Sequence, residues 1–243
     1  MTLSLDMRMA LCARANAKRQ WPEIGFSDQF AGLLAHLLGI SLKQRLPPLA
    51  ERRLIQRSQW FDEACCNFFQ RHPQAMCIEL GAGLSTRFHR LSAKADWPQF
   101  RWVEVDLPQI TAFKAQVMPA IDNYHLVGAD LVQDDWLALS GWMPGQPLLV
   151  VCEGVPSMTD DGILWLLGRL RQGAARSMDL EVVFDIAPSR RRWFGWLAKW
   201  MNPQTPSIAS SVALAGFKLV QQNPLLGNSA VGIVINYRLS WCE

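Results

Sequence analysis

The chain has 243 residues, 50% hydrophobic and 19% charged, which is enough to build a sizeable core. Its formal net charge is only +3, and its single dense basic run is Arg190-Arg191-Arg192. Nothing resembles the stripe that tracks a phosphate backbone, so no nucleic-acid partner is expected. The six cysteines (Cys12, Cys65, Cys66, Cys77, Cys152 and Cys242) show neither zinc spacing nor a disulfide ladder. A reducing compartment and a metal-free site are expected. Asp6, Arg8 and Arg14 interrupt the N-terminus where a leader would be apolar, and no run reaches the ~18 apolar residues of a membrane span. The expected location is the cytoplasm.

Residues 1–50 read as a helical cap, broken at Pro22 and at Pro47-Pro48. A long helix is predicted from Leu49 to Gln70, with Leu54, Phe61, Ala64, Cys65 and Phe68 on one face. Arg57 falls on that apolar face and must be paired. Its partner is a protein acid such as Asp62 or Glu79, or a ligand carboxylate held bidentately.

After Pro73, short apolar runs alternate with helix-like segments. Strands are predicted at 75–80, 100–106, 124–130, 147–153 and 180–186. Between the last two lies a helix with Thr159 as its cap, Asp160 and Asp161 in its first turn, and Gly173 at its stop. Two further strand-like runs, 216–222 and 230–239, stand too close for a crossover and should pair antiparallel. The fold class is therefore α/β: a seven-stranded, mostly parallel sheet with helices on both faces and a C-terminal antiparallel hairpin.

Ligands of such sheets sit beyond the carboxyl ends of the strands. Gly81 and Gly83 end the first predicted strand in "ELGAGLSTR". A dinucleotide fingerprint would place a third glycine at 86, where Thr86 stands. Asp106 ends the second strand, at the position of a carboxylate that accepts ribose hydroxyls. Glu104 points the same way but deeper. Asp130 ends the third strand, where it can accept an adenine amino group, and Glu153 ends the fourth. For each acid alone, a solvated strand end is the alternative. Together they describe a nucleoside pocket without a phosphate-binding lysine. With a carboxylate for Arg57, this suits S-adenosylmethionine better than NAD or ATP.

The phrases "ELGAGLSTRFHRL", "VEVDLPQITAFK", "GADL" and "VVCEGVPSM", in this order, resemble the leucine carboxyl methyltransferase family from about Arg52 to Leu170. Ser85 stands where the family's phrase usually has Asp. The resemblance implies the class I methyltransferase fold, Rossmann-like, with residues 51–243 as the cofactor-binding core. It implies that Arg57 grips the methionine carboxylate, with Arg14 as a further candidate. Gly81 and Gly83 would pass under the methionine and sugar, and Asp106 would take the ribose hydroxyls. Asp130 and Leu131 would meet the adenine, and Glu153 would face the methionine amino end. Glu79 and Leu107 complete the expected cofactor-binding set.

Methyl transfer from a sulfonium needs proximity and a dry site more than acid–base chemistry. A hydroxyl acceptor would gain from a base, and His89, His125, Glu153 and Asp185 are the candidates, with His89 and Glu153 favoured as catalytic. An exposed helix-face position is the alternative for His89, and a structural role for His125. In 188–208, Trp193, Trp196 and Trp200 share one apolar face. The segment reads as a core helix, as a lid over a hydrophobic acceptor, or as a membrane-surface helix. The expected activity is O-methyl transfer to a carboxylate or hydroxyl of a small molecule, free or carrier-tethered. The rivals are an NAD(P)-dependent oxidoreductase and a non-catalytic cofactor-binding scaffold.

Overall fold

The computed structural model describes residues 3–93, 99–155, 160–173, 179–186, 217–224 and 235–241. The chain divides into two compact units, Met1–Trp142 and Met143–Glu243.

The first unit opens with helices. In α1 (Leu5–Gln20) the Ser4 hydroxyl accepts the Met7 N–H, Asp6 lies in the first turn, and Lys18 and Arg19 lie in the last. Both ends thus complement the helix dipole. A 3₁₀ turn at Pro22–Ile24 follows. Asp28 then caps α2 (Gln29–Leu37) by accepting the Ala31 N–H at 2.9 Å. Helix α3 (Pro48–Arg71) begins with a proline in its first turn, where no N–H is needed. It matches the predicted 49–70 helix to within a residue at each end. Its buried line runs through Glu51, Ile55, Ser58, Asp62, Cys65 and Phe69, at alternating steps of three and four. Leu54 and Arg57, read from sequence as centred on this face, are half-buried at its margin.

Three parallel strands follow: β1 (Met76–Leu80), β2 (Arg101–Asp106) and β3 (Tyr124–Gly128), with β2 between the other two. Helix α4 (Arg87–Ser92) follows β1, α5 (Pro108–Ala115) follows β2, and α6 (Trp136–Leu139) follows β3. All five residues of β1 are buried, and β2 is buried except at its two ends. This is why both read as continuous apolar runs. Strand β3 stops at Gly128, two residues short of its expected end. A methyl group on Gly128 would lie 2.9 Å from Pro108 Cα and 3.0 Å from Thr111 Oγ1. The missing side chain lets α5 lie directly against β3.

In the second unit, β4 (Leu148–Cys152) precedes α7 (Asp160–Gly173) and β5 (Leu180–Ile186). Strands β4 and β5 pair in parallel. Strand β7 (Ile235–Trp241) pairs antiparallel with β5 and with β6 (Phe217–Pro224). The strands β1–β5 thus form parallel pairs in both units. Gly173, the expected stop of α7, is its last residue. Thr159 and the whole 188–208 segment, with Trp193, Trp196 and Trp200, lie outside the described residues. Among the described residues, no helix is long and apolar enough to cross a membrane.

Candidate functional site

Strand β1 runs into a turn that needs glycine twice. Gly81 and Gly83 have φ of 63° and 51°, in the left-handed region. The Gly81 N–H donates to the Val105 carbonyl at 2.8 Å and carries the β1–β2 ladder one step further. The Gly83 N–H donates to Asp106 Oδ2 at 2.6 Å, and the Leu107 N–H donates to Oδ1 at 2.7 Å. Asp106 is half-buried. An ionised carboxylate offers about four lone-pair sites. Two are occupied by these backbone donors, and the other two can accept the adjacent hydroxyls of a sugar.

The Ala129 N–H donates to the Asp106 carbonyl at 2.8 Å, which brings the loop after β3 beside the end of β2. There Asp130 Oδ1 accepts the Val132 and Gln133 N–H groups at 2.8 and 3.1 Å. Asp130 thereby holds its own loop in an Asx turn. Asp130 and Leu131 are half-buried, and Leu107 is 42% exposed. The sequence placed Gly83, Asp106, Leu107, Asp130 and Leu131 around one pocket, and the structure brings them to one end of the β1–β3 set.

In the second unit Glu153 is half-buried just beyond β4. Gly154 follows with φ 67°, and its N–H donates to Asp185 Oδ1 at 2.6 Å. Asp185, a candidate base from sequence, is buried and fastens this turn.

Beneath the glycine turn lies a charged network that sequence reasoning missed. Helix α4 is buried from Arg87 to Leu91. Arg87 donates to Asp62 at 3.0 Å and also pairs with Glu79. Arg90 reaches Asp62 at 2.8 and 2.9 Å and Asp28 at 2.7 Å. Register places Glu79 beside Glu104 on adjacent strands, both almost fully buried. Like charges so placed repel, and each has its own cation: Arg87 for Glu79 and Lys114 for Glu104. Named together, Asp28, Asp62, Glu79 and Glu104 balance Arg14, Arg87, Arg90 and Lys114 charge for charge. Burial alone would raise the Asp28 carboxyl, but Arg90, Arg14, the Thr86 hydroxyl and the Ala31 N–H outweigh it and hold it below its usual range. For Glu104 burial outweighs Lys114 and raises the carboxyl above its usual range. The signal in the sequence was the pair of arginines at i and i+3 in "RFHR", set among acids on otherwise apolar elements.

Several expected site residues belong to this scaffold. Glu79 is 2% exposed and also accepts from the Ser85 hydroxyl at 2.9 Å and the Trp102 indole at 3.2 Å. Asp62 and Glu79, the suggested partners of Arg57, hold Arg87. Arg14 donates to the Leu84 carbonyl at 2.7 Å, and its Nε lies 3.4 Å from Asp28. His89 is 4% exposed and packs against Phe30, Phe88 and Tyr124, with ring centroids 5.0–5.3 Å away. Its ring nitrogens have no hydrogen-bond partner among the described residues. Burial, with Lys114 nearby, lowers its pKa to about 4. The exposed helix face considered for His89 is therefore not where it lies. His125, read as structural within a strand, is exposed on β3.

Three comparisons bear on this arrangement. The N-methyltransferase NodS from Bradyrhizobium japonicum WM9 superposes with a TM-score of 0.50 at 12% identity, over 76% of this chain and 96% of that one. At that identity the likeness concerns the fold alone, which is α/β of the class I methyltransferase type. The tetracenomycin polyketide synthesis O-methyltransferase TcmP of Streptomyces glaucescens is 30% identical over 148 residues, 60% of this chain and 52% of that protein. The S-adenosyl-L-methionine-dependent methyltransferase dpfgK of Gibberella zeae is 29% identical over 145 residues, 57% of this chain and 48% of that protein. The matched region thus spans about half the length of these curated relatives. The leucine carboxyl methyltransferase pattern covers residues 9–160, which include the glycine turn, Asp106, Asp130 and Glu153. The chain belongs to the leucine carboxyl methyltransferase family.

Proposed function

We propose that the protein is an S-adenosylmethionine-dependent O-methyltransferase acting on a carboxylate or hydroxyl of a hydrophobic, natural-product-type small molecule, free or carrier-tethered. The observation that carries this reading is Asp106. Its half-buried carboxylate is oriented by the Gly83 and Leu107 N–H groups and keeps lone pairs for two further donors. The 2′- and 3′-hydroxyls of an adenosyl group are such donors. Asp130, Leu131 and Leu107 would receive the adenine, Arg57 the methionine carboxylate, and Glu153 the amino end. The likeness to the polyketide synthesis O-methyltransferase TcmP and to the S-adenosyl-L-methionine-dependent methyltransferase dpfgK supports both the cofactor and an O-methylated biosynthetic acceptor.

When bound, the cofactor supplies a methyl group already activated by its sulfonium. The chain's residues orient it and exclude water. A carboxylate acceptor needs no base. For a hydroxyl, Glu153 is assigned the proton rather than His89, whose imidazole is enclosed by aromatic rings and weakly basic. The first fifty residues would serve as a cap over the glycine turn, supported by the Arg14–Leu84 bond and by Met7, whose Cε lies 3.3 Å from where a Gly83 Cβ would be. The same reading retains one seven-stranded sheet ending in a hairpin, supported by the antiparallel pairing of β7 with β5 and β6. It also keeps Trp193, Trp196 and Trp200 as an acceptor lid and a cytoplasmic location.

Calorimetry against S-adenosylhomocysteine and NADH tests the cofactor. Binding of the former alone is expected, and binding of NADH alone would move the protein to the oxidoreductases. Mass spectrometry of candidate aromatic acids and phenols, seeking a gain of one methyl, separates an enzyme from a scaffold.

A further inference from the structure

The glycine turn is tied down at four consecutive residues. The Gly83 N–H is held by Asp106, the Leu84 carbonyl by Arg14, and the Thr86 hydroxyl donates to Asp28 at 2.7 Å. The fourth tie comes from α5. Lys114 is 1% exposed, and its Nζ donates to the Ser85 carbonyl at 2.6 Å and to the Glu104 carboxylate. Glu104 and Asp106 are two residues apart on β2, so both side chains leave the same face of the strand. The turn is thereby held by Asp106 directly and by Lys114 from α5, whose ammonium also meets Glu104 on the same face of β2. The placement of Lys114 depends on α5, which the bare Gly128 allows to sit against β3.

We propose that Lys114 is a positioning residue for the cofactor turn, and that its hydrogen bond to the Ser85 carbonyl, rather than its charge pairing with Glu104, sets the geometry in which Gly81–Ser85 receives a ligand. A buried ammonium has three donors, and here one is used on the backbone of the turn itself. Neutralising Glu104 alone would require only the ion pair. The additional bond fixes the turn's carbonyl on one side while Asp106 fixes its N–H on the other. Without it, the stretch between Gly83 and Thr86 loses one of its restraints, and Asp106 loses a fixed partner. The proposal rests on the adenosyl reading of Asp106 for its binding arm only.

The test uses the full chain and three variants, Lys114→Met, Glu104→Gln and the double substitution. Lys114→Met should weaken S-adenosylhomocysteine binding by about tenfold or more and speed amide exchange over residues 83–87. It also orphans a buried carboxylate, so its Tm should fall. The double variant removes that carboxylate's charge and should regain Tm, yet keep the weak affinity and fast exchange. Glu104→Gln retains the Ser85 bond and should bind within about threefold of wild type. Recovery of affinity together with Tm in the double variant would overturn the proposal, since Lys114 would then only neutralise Glu104. Unchanged exchange over 83–87 in both Lys114 variants would overturn it as well. If the wild type bound no S-adenosylhomocysteine, the adenosyl reading would fall, and exchange over 83–87 would decide the clamp alone.

Discussion

The two units carry the same small device at the ends of their first strands. After β1, Gly83 (φ 51°) gives its N–H to Asp106, at the end of the next parallel strand. After β4, Gly154 (φ 67°) gives its N–H to Asp185, on the strand paired in parallel with β4. Both bonds are 2.6 Å. The difference is enclosure: Asp106 is half-buried, while Asp185 is 5% exposed. A carboxylate that keeps solvent access can take further donors from a ligand, whereas one closed in by protein serves the chain. Two acids with the same local pattern are thereby assigned different roles by their surroundings.

The largest effect is expected in the scaffold below the first turn. Arg90→Ala would leave Asp62 with Arg87 and Asp28 with Arg14 as their remaining buried cations, and should cost about 3–5 kcal/mol, read by denaturant unfolding. A loss under about 1 kcal/mol would mean that water replaces the guanidinium. Next, the two acids can be set against each other. Asp106→Ala should weaken S-adenosylhomocysteine roughly 100-fold or more in a folded protein, because hydrogen bonds to a charged acceptor are lost. Asp185→Asn should instead lower stability by about 1–2 kcal/mol and leave affinity within severalfold. The reverse pattern, measured by calorimetry and thermal unfolding, would exchange the two assignments.

Smaller effects sharpen the picture. Gly83→Ala forces a side chain into the left-handed region at a cost of about 1–2 kcal/mol. The nearby Met7 Cε, at 3.3 Å, can swing aside, so the backbone strain should dominate. A severalfold loss of cofactor affinity is the expected readout, and unaltered affinity would show that the turn tolerates another geometry. A pH effect comes last, because it is confined to acid conditions. His89 takes its proton near 6.5 when unfolded but only at about 4 when folded, because burial disfavours the cation. Its contribution to stability is therefore complete above pH 6.5 and is lost as pH falls from 6.5 toward 4, by up to on the order of 3 kcal/mol at the lower end. His89→Phe should flatten that part of the Tm–pH curve, and superimposable curves would show that His89 titrates normally.

Period and local chemistry determined much in advance. Apolar runs located β1, β2, β4 and β5 to within about two residues, and glycine after a strand located the turn. The strand-end acid Asp106 was legible because position along a strand fixes direction. The burial of helix α4 was not, because a helix buried on every side leaves no polar stripe to read, and its arginines reach Asp62 and Asp28 from 25 to 62 residues away in sequence. The roles of Lys114 and Gly128 were hidden for a related reason: each depends on how closely α5 approaches the sheet. The sequence alone determined which residues stand at the strand ends, since local periodicity places them. Only the tertiary structure decided which acids keep access to solvent and which are enclosed by protein, since burial and pairing arise from contacts distant along the chain.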